Sequence, residues 1–203
     1  MDNMPTIYIN CNGVGKLDEP IAYEFSKKLS RRLTTDFPQL RIVRNLPTSK
    51  ASTYQAYVAD MKKDSSVIAS FFVKCRPLGC GRGTRSARSR FLMKSSSFSN
   101  SSLPALVWDF LEFYVDSPMW ATEANQHDYY LIKHGIEPIT LDLGIYDTVN
   151  DVKRIRERES GIAQAVSRAV EHYLNPPPKH NLEKSIKKSV GVERLENQNK
   201  ATA

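Results

Sequence analysis

Short apolar runs of β type recur along this 203-residue chain, and segments with helical periodicity separate most of them. The clearest runs cover residues 6–9, 40–43, 67–73 and 136–143. A strand that is buried on both faces is almost continuously apolar, and strands that alternate with helices pair in parallel. The sequence therefore predicts a single α/β domain with a mostly parallel twisted sheet and helices on both faces.

Helical periodicity is clearest in four segments, each with apolar residues spaced three and four apart. They span residues 18–36, 53–63, 103–114 and 149–174, and an interruption near Gly161 is left open for the last. A further apolar run at residues 129–132 predicts one more strand. Three prolines at 176–178 then end the domain, so we predict a domain over residues 1–175 and a polar, basic tail over residues 176–203.

The net charge of +7 is concentrated in two segments. Residues 74–94 contain seven cations and no acid, and residues 179–203 contain six cations and three acids, which leaves about −3 for the remainder. Glycine and serine predict that residues 74–102 form an inserted loop. We predict that residues 74–94 and 179–203 bind a polyanion, nucleic acid included, or a protein partner. The cations of the loop are Lys74, Arg76, Arg82, Arg85, Arg88, Arg90 and Lys94.

Other features limit where the chain acts. No stretch of 18 apolar residues is present, and the N-terminus lacks the basic and apolar regions of a Sec signal peptide. Three cysteines, an odd number without paired metal-ligand spacing, favour a reducing compartment. We therefore expect a soluble protein in the cytoplasm or in a virion or other assembly, with homo-oligomers allowed.

Asp142 is the carboxylate in the most suggestive position, because it ends the apolar run that begins at residue 136. Open α/β sheets place their chemistry at the carboxyl ends of their strands. Asp142 is either a site residue or an acid that caps nearby amides. Cys11 also follows a strand, and a buried, inert thiol is favoured there over a nucleophile.

The last third of the chain resembles the zinc-dependent N-acetylmuramoyl-L-alanine amidases, which cleave peptidoglycan. Those enzymes finish with a strand that carries a catalytic Glu, a short loop with Asn or Asp, and a helix with an Ile-Ala-x-Ala-Ile pattern. The matching segments are the run PITLDLG at residues 138–144, Asn150-Asp151, and the run IAQAV at residues 162–166. The resemblance implies an amidase-like fold over most of residues 6–174.

The same resemblance also implies that the metal site has degenerated. The first zinc ligand, a His after the first strand, is absent from residues 10–15, and the third, also a His, is replaced by Lys74 and Cys75. Glu19 or Asp18 matches the second ligand, and Asp142 matches the catalytic Glu. With two of three ligands missing, no cofactor is expected, and zinc would need other ligands.

The resemblance therefore favours a non-catalytic binding or structural component. Two alternatives stay open. One is an active amide hydrolase of the amidase type with an altered site at Glu19, Asp142 and His134. The other is a nucleic-acid-binding protein that acts through the arginine-rich loop, with Phe91 and Phe98 available to stack on bases.

Overall fold

The computed structural model describes residues 4–11, 20–45, 54–77, 91–95, 102–122, 126–146 and 149–176. The strands in these ranges are β1 (Thr6–Cys11), β2 (Arg41–Asn45), β3 (Val67–Pro77), β4 (Leu92–Lys94), β5 (Met119–Ala121) and β6 (Glu137–Tyr146). The helices are α1 (Pro20–Asp36), α2 (Tyr54–Lys62), α3 (Leu103–Tyr114), α4 (Gln126–Lys133) and α5 (Val149–Leu174). None of these helices is long and apolar enough to cross a membrane.

All six strands join one sheet in the order β2-β1-β3-β6-β4-β5. β1 pairs in parallel with β2 and β3, and β3 pairs in parallel with β6. β4 is antiparallel to β6, and β5 is parallel to β4. The two central strands, β3 and β6, are consequently enclosed by neighbours on both sides.

Helices cover both faces of this sheet, as alternate residues of β1 illustrate. Ile7 and Ile9 pack in a core with α1, α3 and α5, whereas Tyr8 belongs to a second core with residues of α2 and α4. Successive side chains of a strand point to opposite faces, so one apolar strand supplies both cores. The predicted α/β fold, with a mostly parallel sheet between two helical layers, is confirmed.

The predicted strand at residues 129–132 is wrong, because these residues belong to α4. Only Leu131 of the four is fully buried, whereas Tyr129, Tyr130 and Ile132 are exposed. Four apolar or aromatic residues in a row favour a strand by propensity. Packing of one helix face decides the outcome here, and Leu131 is the residue that packs into the second core.

β4 and β5 lie outside the predicted strands, since each has only three residues and neither shows a recognisable pattern. The predicted loop is also too long, because β3 continues through Pro77 and Leu92–Lys94 forms β4. Met93 of β4 is fully buried and pairs with Leu141 of β6. Long-range pairing with a central strand therefore orders this short segment.

α5 is continuous from Val149 to Leu174, and Gly161 does not interrupt it. A Cβ atom at Gly161 would overlap the carbonyl oxygen of Tyr114 at the end of α3 and would lie 3.2 Å from its carbonyl carbon. The glycine therefore permits close packing of α3 against α5 rather than a break in the helix.

Candidate functional site

The carboxyl ends of β3 and β6 place an ion pair at the centre of the sheet. Lys74 lies opposite Asp142 in the parallel register, and Lys74 Nζ is 3.7 Å from Asp142 Oδ2. The Asp142 side chain is fully buried, whereas 25% of the Lys74 side chain is exposed. A buried carboxylate has lost its hydration, so a nearby cation is needed to stabilise its charged form.

β6 bulges directly after Asp142. Asp142 pairs with Lys74 and Ile145 pairs with Arg76, so β6 advances three residues where β3 advances two. Gly144 lies within this bulge and has φ of 121°, a conformation that favours glycine. The Gly144 amide donates a hydrogen bond to Asp142 Oδ1 at 3.2 Å. The bulge therefore supplies a backbone donor to the buried carboxylate.

Asn10 adds a buried amide near this pair. Its Nδ2 donates to Ser70 Oγ at 3.0 Å, and its Oδ1 has no hydrogen-bond partner among the described residues. Asn10 pairs with Phe72, which precedes Lys74 by two residues, so the strand spacing puts the Cα atoms of Asn10 and Lys74 about 8 Å apart. We refer to Asn10, Lys74 and Asp142 as the strand-end site.

The remaining residues predicted for binding are only partly described. Lys94 of β4 pairs with Thr140 of β6, and Leu92, two residues earlier in β4, pairs with Asp142. The backbone of Arg76 belongs to β3. The prediction that Phe91 is available to stack on bases is wrong, because Phe91 is buried in the core that contains α1, α3 and α5. The other predicted residues lie outside the described ranges: Glu19, Arg82, Arg85, Arg88, Arg90, Phe98 and the tail over residues 179–203.

Neither histidine with a described side chain reaches the strand-end site. His134 is exposed and lies in the turn that precedes β6. Asp142 is five residues beyond the first residue of β6, which places it about 17 Å farther along the strand. His172 packs edge-on against Phe110, with ring centroids 5.1 Å apart. The altered amidase site with His134 beside Asp142 is therefore not assembled in this structure.

The two described cysteines are thiols of the protein core. Cys11 and Cys75 are both buried in the core that contains α1, α3 and α5. Cys75 Sγ donates to the carbonyl oxygen of Gly144 at 3.3 Å, which ties β3 to the bulge in β6. Both thiols lie on the face of the sheet opposite Tyr8. Asn10 is two residues after Tyr8 in β1 and therefore lies on the same face as Tyr8. Cys80 lies outside the described residues.

Glu137, at the start of β6, is a half-buried acid that no sequence pattern singles out. Its Oε2 accepts a hydrogen bond from Leu103 N at 2.6 Å, and Tyr173 also forms a hydrogen bond to it. Burial raises the pKa of Glu137 to about 7, although both hydrogen bonds act in the opposite direction. Glu137 therefore joins β6 to α3 and α5 at the end of the sheet far from Asp142.

Comparisons with known proteins identify the architecture. No protein-family model matches the chain, and no curated protein matches it in sequence. Solved structures do match, among them the N-acetylmuramoyl-L-alanine amidase AmiC2 of Nostoc punctiforme, with a TM-score of 0.60 and 16% identity. That match covers 84% of this chain and 97% of the other. The fold is that of the N-acetylmuramoyl-L-alanine amidases.

Two further amidase structures support the same conclusion. The N-acetylmuramoyl-L-alanine amidase from Clostridium difficile 630 matches with a TM-score of 0.61 and 13% identity over 87% of this chain and 100% of its own. The CwlD amidase from Clostridioides difficile matches with a TM-score of 0.57 and 10% identity over 85% of this chain and 100% of its own. At these identities the similarity establishes the amidase fold and leaves the activity to be argued from the site.

The strand-end site does not fit the zinc that an amidase resemblance implies. A hydrolytic zinc takes three protein ligands from His, Cys, Asp and Glu side chains. Asp142 is instead paired with the ammonium of Lys74, which would repel a divalent cation, and the amide of Asn10 belongs to β1, two strands away in the sheet. Within the described ranges, no three His, Cys, Asp or Glu side chains come together in a way that could hold a metal ion.

Proposed function

We propose that this chain is a non-catalytic amidase-fold domain that acts as a binding or structural component. The observation that carries the proposal is the ion pair between Lys74 and Asp142 at the carboxyl ends of the two central strands. The Lys74 ammonium supplies positive charge at the position where the resemblance to the amidases implies a zinc ligand. The amidase architecture is thus retained with a different set of side chains.

The chemistry of this pair argues against hydrolysis. A general base must accept a proton during the reaction, and a carboxylate stabilised by an adjacent ammonium is a poor proton acceptor. Lysine also lacks the open coordination position with which a metal polarises an amide carbonyl. Asp142 is better explained as one half of a structural ion pair that closes the carboxyl end of the sheet.

The partner we propose is a polyanion or an anionic protein surface. The support is the uneven distribution of charge, with seven cations in residues 74–94 and a basic tail after residue 178. Charge clustered in such segments attracts polyanions over distances comparable to the Debye length. A cytoplasmic or assembly-associated setting, as expected from the sequence, belongs to the same proposal.

A peptidoglycan digestion assay tests the proposal. The full chain, with and without added zinc, is incubated with purified sacculi, and soluble peptide release is measured against a catalytic amidase as the positive control. We expect release at the level of buffer alone from the chain. Zinc-dependent release by the wild-type chain that Asp142→Asn abolishes, with folding of the variant verified by circular dichroism, would overturn the proposal.

A further inference from the structure

α1 and α5 enclose a polar groove on the face of the sheet opposite Tyr8. Its volume is about 300 Å³, and its floor includes the buried side chain of Ile21. Four cations and two acids line its walls: Lys27, Lys28, Arg31, Arg156, Glu24 and Glu159. We call this feature the α1–α5 groove. Its described lining shares no residue with the strand-end site or with the basic segment of residues 74–94.

Three of the four cations in the α1–α5 groove form no ion pair within the described residues. Lys28 Nζ lies 3.5 Å from Glu159 Oε2, and the two residues form an ion pair across the groove. Lys27, Arg31 and Arg156 form no ion pair with any residue in the part of the chain that the structure describes. The groove therefore presents positive charge from both of its helices.

The arrangement on α1 is unfavourable for the helix by itself. Lys27 and Arg31 are four residues apart and so lie next to each other on one face, and like charges at this spacing destabilise a helix. The adjacent Arg32 shows the contrasting arrangement, because its Nε lies 2.7 Å from Asp36 Oδ2. A bound anion between Lys27, Arg31 and Arg156 would relieve the repulsion that the fold leaves in place.

The shape and lining of the groove limit which polyanion fits. Packed helices have axes about 8–10 Å apart, so the cleft between them admits one extended strand and excludes a nucleic-acid duplex. None of the described residues that line the groove is aromatic. Single-stranded nucleic acids are usually held by bases stacked on aromatic side chains. A polymer with phosphates and no aromatic bases matches this lining better.

We propose that the α1–α5 groove binds a single strand of a polyol-phosphate polymer, with Lys27, Arg31 and Arg156 on successive phosphates. The inference deepens the binding role proposed above and rests on it. Glu24 and the Lys28–Glu159 pair flank the three cations, and their acids disfavour a tightly packed anion such as free phosphate. The aliphatic floor at Ile21 faces the polyol carbons.

Fluorescence anisotropy with labelled poly(glycerol phosphate) tests this proposal on the full chain. We expect binding at about 50 mM salt that weakens strongly at about 300 mM salt, as charge screening requires. The triple variant Lys27→Gln, Arg31→Gln, Arg156→Gln should bind about tenfold more weakly or worse. A matched triple variant, Lys62→Gln, Lys63→Gln, Lys133→Gln, removes the same charge from the ends of α2 and α4 and from the turn after α2, and it should bind within about twofold of wild type.

Three outcomes would overturn the groove assignment. One is the absence of binding, and another is an equal loss in both triple variants, which would indicate diffuse attraction. The third is tighter, groove-dependent binding of oligo(dT) of equal charge, which would assign the groove to nucleic acid. Thermal unfolding of each variant verifies its fold. Peptidoglycan digestion is measured separately, so catalysis could contradict the proposed function while the groove result stands.

Discussion

Glu137 makes the stability of this domain depend on pH in a direction that can be calculated. Its half-buried carboxyl group lies at the start of β6 and is hydrogen-bonded to Leu103 N and Tyr173, and its pKa is raised from 4.5 to about 7. The folded state therefore holds a proton on Glu137 that the unfolded state releases. The stabilisation is complete below about pH 4.5 and is lost as the pH rises through about 7.

The size of this effect follows from the displacement of the pKa. If water had no access to the Glu137 carboxyl group, the free energy of unfolding would fall by about 3 kcal/mol between pH 4.5 and pH 8. Partial access of water reduces the expected fall to about 2 kcal/mol. Glu137→Gln keeps the shape and the acceptor for Leu103 N but cannot ionise. The variant should therefore lose less stability than wild type as the pH rises, and it should equal or exceed wild type at pH 8.

Urea unfolding at pH 5, 6, 7 and 8 measures this difference. Other groups also titrate in this range, and burial lowers the pKa of His172, which acts in the opposite direction. Comparing the variant with wild type at each pH isolates Glu137. Glu112→Gln, an exposed glutamate of α3, is the matched control and should retain the wild-type dependence. Identical pH profiles for wild type and Glu137→Gln would show that Glu137 does not make the stability depend on pH.

Two further predictions concern packing and the strand-end site. Gly161→Ala should lower the free energy of unfolding by about 1–3 kcal/mol, because its methyl group would overlap the Tyr114 carbonyl. The control Ser160→Ala, on the exposed side of α5, should change the free energy of unfolding by less than about 0.5 kcal/mol. Equal stability of the two variants in urea unfolding would contradict the close α3–α5 contact. Lys74→Met should cost about 1–3 kcal/mol by leaving the Asp142 charge in the sheet without this ammonium, and adding Asp142→Asn should recover part of the loss. Additive effects of the two substitutions would show that the charges are not coupled.

The sequence was sufficient for the four parallel strands because each is an apolar run between helical segments. It failed where tertiary contacts decide the structure. Residues 129–132 have strand-like composition, yet they belong to α4, and only Leu131 among them lies on its buried face. β4 is ordered by pairing with β6, and no pattern in the sequence of Leu92–Lys94 predicts that pairing.

The candidate site was likewise predictable from the sequence only in part. Asp142 and Lys74 could each be singled out because each ends a predicted apolar strand, and the register of β3 with β6 then brings them within 3.7 Å. Glu137 gave no comparable signal, since its raised pKa depends on burial by α3 and α5. The α1–α5 groove was also beyond local patterns, because its cations come from helices more than 100 residues apart in sequence.

Peptide release from purified sacculi is the decisive measurement of whether this domain is non-catalytic, because it reports amide hydrolysis whichever metal is present. The comparison is between the wild-type chain and Asp142→Asn at equal concentration, with a catalytic amidase to show that the substrate is competent. We expect both forms of the chain to release no more peptide than buffer. Release by wild type that disappears in Asp142→Asn would contradict it.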